Sequence, residues 1–229
     1  MTSAALTKMA ARLDEVIVLS ATDPRINDPR SSNATLSGAV NRACVVLLSA
    51  HLEGYLEDVA LEALDVFITE AICVDDLPLL LRAVHAEDHL GVLEQMKDRK
   101  ARAPRIQDLL QSELGLWQPG NRLATPMLRA STLSKQMSNP GSREMRSFLE
   151  LVGVDLKDWL QRTSDMPLLG DADGLVARRN AIAHGEVSAS VTSADVSRYI
   201  ISVETLSRSI DEAVAERLMQ ICSLHVRPW

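Results

Sequence analysis

Four residues separate Arg179 from His184 in the string Leu175-Val176-Ala177-Arg178-Arg179-Asn180-Ala181-Ile182-Ala183-His184-Gly185. A histidine can take a proton from a hydroxyl and return one to a leaving oxygen. An arginine can bind a phosphoryl group and stabilise the negative charge that builds on it during reaction. The pair therefore suits acid–base chemistry at a phosphodiester without a metal. On a helix of about 100° per residue, Asn180 and His184 lie one turn apart on the same face, so the amide could orient the imidazole. Arg179 points about 140° away from His184, so the arginine must reach round or the helix must loosen before Gly185. The same residues also permit a structural role, in which Arg179 pairs with acidic neighbours and His184 bonds the last carbonyls of its own helix.

Other polar groups can be set beside this pair. Arg42, Ser49 and Glu53 follow one another by seven and four residues and fall near one line along a helix. Such a stripe would let Glu53 hold an arginine and Arg42 touch phosphate, or it is a solvated face or an internal ion pair. His85-Ala86-Glu87-Asp88-His89 places two histidines one turn apart, but Ala86 stands where the zinc-protease motif requires glutamate and no third ligand is evident. A solvated helical face is expected there, and neither a metal nor another cofactor. Gly-x4-Gly-Lys-Ser/Thr, Gly-x-Gly-x-x-Gly and Gly-x-Ser-x-Gly are all missing from the sequence.

The elements that must carry these residues read as helices throughout. Aromatic residues make up only 3 % of the 229, while Leu, Ala and Val abound, and no sustained period-two alternation occurs. A helix is expected over 3–20, then a linker in the turn-rich stretch 23–33. A long helix follows over 35–71, with Leu36, Val40, Leu47, Leu48, Leu52, Tyr55, Leu56, Val59, Ala63, Leu64 and Phe67 recurring at three and four. Another should span 77–100, and Pro104 should interrupt before a shorter one over 105–114. A loop is expected over 117–121. Asn139-Pro140 reads as an N-cap and first-turn proline, opening a helix to Leu151 that Gly153 closes. The motif helix should begin at Asp171 or Asp173 and stop at Gly185. The last should start at the capping box Thr192-Ser193-Ala194-Asp195 and bury Ile200, Leu206, Ile210, Val214, Leu218 and Ile221. This divides the chain into an N-terminal helix and linker, 1–33, and a helical domain, 34–229.

Formal charge is −7, which argues against a general nucleic-acid binder and leaves only a local basic patch for such contact. Cys44, Cys73 and Cys222 are an odd number, far apart and set in apolar stretches, as expected of reduced core residues. The N-terminus lacks the charged start and apolar core of a secretory signal, and no run of about 18 uninterrupted apolar residues occurs. A cytoplasmic protein without membrane association is expected.

With the string Leu175 to Gly185, the stretch Arg42 to Glu57 containing Leu52-Glu53-Gly54-Tyr55-Leu56, and Ser138-Asn139-Pro140-Gly141-Ser142, the chain resembles the HEPN family, in its RiboL-PSP-HEPN or MAE-type branch. The likeness spans about residues 40 to 220. It implies an all-α HEPN-type bundle that forms a homodimer, with both copies of the motif lining one cleft. It also implies a metal-independent endoribonuclease, in a toxin–antitoxin or anti-phage defence setting, that leaves a 2′,3′-cyclic phosphate. By that resemblance His184 is acid or base, Arg179 binds phosphate and stabilises the transition state, and Asn180 orients the site. Arg42, Glu53 and Arg178 are supporting candidates. RNA is the implied substrate, and an antitoxin or defence protein an implied partner. Many members of this family do not cut RNA, so a non-catalytic dimerisation or interaction module is the alternative.

Overall fold

The computed structural model describes all residues except 1, 29, 31, 125–126 and 187–189, and the side chains of 27, 88 and 112 are likewise left undescribed. Among the described residues the secondary structure is helical, with no strand and one isolated bridge, between Cys73 and Arg122.

The long helix, α3 (Ala34–Thr69), is the centre of the molecule. At about 1.5 Å per residue it is roughly 54 Å long, and Cys44, Val45, Leu48, Leu52, Tyr55, Leu56, Val59 and Phe67 on it are buried. By length and composition α3 could cross a membrane. Here α1 (Ala4–Ser20), α9 (Pro167–Ala183) and α10 (Ser193–Ile221) cover those buried side chains instead, while Val46 and the expected face residues Leu36 and Leu47 stay exposed. Tyr55, fully buried, donates its hydroxyl to the Ser207 carbonyl at 2.7 Å and ties α3 to α10.

In α1 the buried residues Leu6, Met9, Leu13 and Val16 repeat at three and four, forming the stripe that lies against α3 and α10. Its start is held from three sides. Ser3 caps Leu6 N–H and donates to Asp211 of α10, while Glu62 of α3 accepts from the Ala4 and Ala5 amides, two of the orphan donors at a helix start. The N-terminal helix thus shares one core with the rest of the chain. Within the expected linker, Asp23 caps a four-residue helix, α2 (Pro24–Asn27), with Pro24 in its first turn.

The middle of the chain departs from expectation. Helix α4 (Leu79–Gln95) stops five residues early, and α5 (Arg99–Trp117) begins at the Asp98 cap and runs through Pro104. The amide that Pro104 lacks would have bonded the carbonyl of Lys100. That turn is exposed, so water can serve the carbonyl and the helix is not forced to end. Trp117, expected in a loop, closes α5. Two further short helices, α6 (Ala130–Ser134) and α8 (Leu156–Arg162), are too short for periodicity to reveal.

Helix α7 (Ser142–Glu150) opens at Gly141 and not at Asn139-Pro140. Its cap comes from another helix, since Asp173 of α9 accepts from both Ser142 N–H and Ser142 Oγ at 2.7 Å. Asp171 and Asp173 therefore do not start α9, which begins at Pro167; Asp171 accepts from Ser202 Oγ of α10 at 2.6 Å. At α10 the capping box is formed as expected, with Thr192 and Asp195 serving each other's backbone. Its predicted face is buried through Leu218, with Ile221 partly covered.

Candidate functional site at the end of α9

Helix α9 buries Leu169, Ala172, Leu175 and Val176 against α3 and α10. Gly174 permits this closeness on the α10 side, since a Cβ there would stand 3.3 Å from the Tyr199 hydroxyl. One turn beyond Leu175 and Val176 come Arg179 and Asn180, so the motif continues the core-facing side just where the core runs out. That register leaves Arg179 and Asn180 half-buried and His184, one turn further, exposed.

The helix ends where the sequence places the stop. His184 is the C-cap, its N–H donating to the Asn180 carbonyl, and Gly185 takes a φ of +73° that favours glycine. Gly185 N–H donates to Ile182 O and Glu186 N–H to Ala181 O, both at 3.0 Å, which is the Schellman pair. The last carbonyls of α9 are thus served by backbone amides. The His184 imidazole has no hydrogen-bond or ion-pair partner among the described residues and does not cap its own helix.

The Asn180 amide is engaged differently from expectation. Its Oδ1 accepts from Arg179 Nη1 at 3.0 Å, so it positions the arginine and not the imidazole. Among the described residues no carboxylate pairs with Arg179. One half-buried guanidinium and one exposed imidazole, neither neutralised by an acidic group, therefore stand at the end of one helix. A guanidinium can bind an oxyanion and an imidazole can exchange a proton.

Arg178, the next residue back, does structural work. Its Nη1 donates to the Ser190 carbonyl at 2.9 Å, fastening the connection between α9 and α10. Ser190, Thr192 and Ser193 also form one wall of a cavity of about 360 Å³, whose other wall is Asp23 and Arg25 of the α2 turn and Ser37, Gly38, Asn41 and Arg42 of α3. The fold therefore brings Arg42 to the connection that Arg178 fastens. Glu53 lies eleven residues further on, roughly 16 Å along α3, half-buried and with no ion pair to Arg179 among the described residues. Ser49 between them is fully buried, so the expected polar stripe is not one continuous surface.

Asn41 and Asp23 are polar residues of this end that sequence spacing did not single out. Asp23 is buried; burial would raise its pKa, but hydrogen bonds from Arg25 N–H, Ser37 and Asn41 outweigh that and hold the carboxyl below its usual range. The legible signal was Asp23-Pro24, a cap followed by a first-turn proline.

Away from the motif, His85 is not on a solvated face. It is fully buried, its Nδ1 donating to Leu81 O at 2.8 Å and its Nε2 accepting from Arg129 N–H at 2.9 Å. Those two bonds require the neutral Nδ1–H tautomer. Burial pushes its pKa down first of all, and Arg129 pushes the same way against the opposing Leu81 bond and Glu113. Arg129 also pairs with the buried Glu113 at 2.9 Å, and His89 stands 3.7 Å from the same carboxylate. Among the described residues no three or more His, Cys, Asp or Glu side chains gather as a metal site. The Cys44 and Cys222 thiols are pushed up to about 11, chiefly by burial, which keeps them from acting as thiolates.

No curated protein and no solved structure matches the chain. A family model does match it: the RiboL-PSP-HEPN model covers residues 8–216, from the second turn of α1 to the last turns of α10, and so includes the motif helix and the helices it packs on. The chain belongs to the RiboL-PSP-HEPN family.

Proposed function

We propose that this protein is a metal-independent endoribonuclease whose reacting groups are His184 and Arg179. The observation that carries the proposal is the state of those two side chains. Among the described residues His184 is exposed without a partner, and Arg179 is aligned by Asn180 and pairs with no carboxylate. Membership of a family that often cuts RNA supports the same reading.

In the reaction the ribose 2′-oxygen attacks the adjacent phosphorus as the bond to the 5′-oxygen breaks. One imidazole takes the 2′-hydroxyl proton, a second group returns a proton to the 5′-oxygen, and the Arg179 guanidinium stabilises the charge on the phosphorane. The product is a 2′,3′-cyclic phosphate. One chain offers a single exposed imidazole at this position, so a homodimer that sets two α9 ends across one cleft supplies both proton-transfer groups. We propose a toxin or anti-phage role with an antitoxin or defence partner, and the family resemblance is its one support.

The test is cleavage of labelled total RNA in EDTA by the parent chain and His184→Ala, with end-group analysis of any product. Cleavage that disappears in the variant and leaves cyclic-phosphate ends is the expected result. Intact RNA with a folded, dimeric parent chain refutes catalysis and leaves a non-catalytic interaction module.

A further inference from the structure

Helix α5 carries four large apolar side chains on its solvent side. Ile106, Leu110, Leu114 and Trp117 are 41 %, 57 %, 55 % and 42 % exposed. At about 100° per residue they fall within one arc of about 80°, and the exposed Ala103 lies inside it. Single exposed leucines are ordinary, whereas a continuous stripe along one helix marks a contact surface. The opposite side of α5 is already used, with Glu113 and Leu116 buried and the helix packed on α4.

The charges along α5 are the reverse of what an isolated helix prefers. Its first turn holds Arg99, Lys100 and Arg102 and no acidic residue, at the end where the peptide dipoles are positive. Its last turn has no basic residue at the negative end. Among the described residues none of those three cations forms an ion pair, while Arg105 has Asp108 at 3.7 Å. Just beyond the far end of the helix the charge is acidic. Asp75 is held there by Gly120 N–H, which donates to it at 2.8 Å, and both Asp75 and Asp76 are exposed. The nearby Arg82 and Arg122 are turned inward, Arg82 over the Trp117 ring and Arg122 onto the Ala71 carbonyl.

We propose that α5 pairs antiparallel with α5 of a second copy of this chain, about a two-fold axis at Leu110. In that register Leu110 meets the partner's Leu110, Ile106 meets the partner's Leu114, and the small Ala103 meets the partner's Trp117. Arg99 and Lys100 come level with the partner's Asn121 and the partner's Gly120, beside the partner's Asp75 and at the negative end of the other helix dipole. The stripe and its charges are thus complementary to themselves, which is the requirement of an isologous contact. An anionic lipid surface suits them less, because Asp75 and Asp76 stand at one end of the same stripe. A helix of 19 residues is roughly 28 Å long, so the seam is smaller than a standard interface and pairing is expected at micromolar concentrations and above. The motif helix α9 packs chiefly on α3, α10 and α7, so this seam is separate from a pairing of α9 ends and stands without the nuclease reading.

The experiment is sedimentation velocity of the full chain and of Leu110→Lys, from micromolar to hundreds of micromolar protein. The substitution sets two lysines face to face on the axis and barely changes helix propensity. We expect Leu110→Lys to need at least tenfold more protein to reach the same average mass, with far-UV spectra unchanged. Leu110→Cys and Ile106→Cys under mild oxidant test the register, with the parent as control for Cys44, Cys73 and Cys222. A cysteine on the axis reaches its copy, whereas two at position 106 lie about 12 Å apart along the seam, beyond a disulfide. Cross-linking at 110 and not at 106 is the expected result. Equal mass distributions for the parent and Leu110→Lys, or cross-linking at 106 and not at 110, overturn the proposal. A parent that stays monomeric throughout overturns it too, and if that parent co-sediments with anionic lipid vesicles through Leu110 the stripe belongs to a lipid surface. RNA cleavage enters none of these measurements, so this seam and the nuclease stand or fall separately.

Discussion

Replacing Gly185 by alanine isolates the backbone term that ends the motif helix. A Cβ at Gly185 would meet nothing within 4 Å, so the substitution carries no steric clash. What it carries is the φ of +73°, a left-handed conformation that costs an L residue about 1–2 kcal/mol. Alanine also narrows the unfolded ensemble, which returns roughly 0.5 kcal/mol. The net expectation is a loss of about 1 kcal/mol, or about 2–4 °C in the midpoint for a chain of this length. Urea unfolding followed by circular dichroism measures it, and Gly185→Asn should recover part of the loss because asparagine tolerates this region. Cleavage should fall further than stability does, since a helix end that unwinds moves the His184 ring. An alanine variant as stable as the parent would refute the reasoning, because it would mean that α9 does not end in a left-handed turn.

Two other outcomes test how the site is supported. Asp173→Ala removes both bonds from α9 to Ser142, so α7 should lose about 1 kcal/mol of capping, read as faster amide exchange at Ser142 to Met145 while the α10 amides keep their protection. His85, with its pKa pushed down, is neutral when folded and binds a proton more readily when unfolded. Its contribution is therefore complete above the ordinary histidine range and is lost as pH falls through that range toward the lowered folded value. The unfolding midpoint should drop accordingly, and long-range nitrogen spectra should show His85 as the neutral Nδ1–H tautomer.

Local rules in the sequence determined the helical class, the long central helix, the capping box that opens α10 and the glycine that closes α9. Each depends on residues within a turn or two of one another, and an apolar stripe or a cap keeps its meaning wherever the helix lies. The shared face of Asn180 and His184 was legible for the same reason. Contacts between distant segments decided the rest. Asp173 looked like a cap for its own helix and caps α7, because α7 arrives beside α9. The Asn180 amide took Arg179 in place of His184 once the guanidinium folded back. His85 is buried because Arg129, 44 residues on, supplies the bond that makes its burial tolerable. Pro104 does not break α5 because its turn faces solvent. Most of all, Asp23, Asn41, Arg42 and Thr192 form one cavity only because the starts of α3 and α10 meet at the end of the molecule where α9 stops. No period or spacing encodes that meeting; it follows from which apolar faces find each other when the bundle packs.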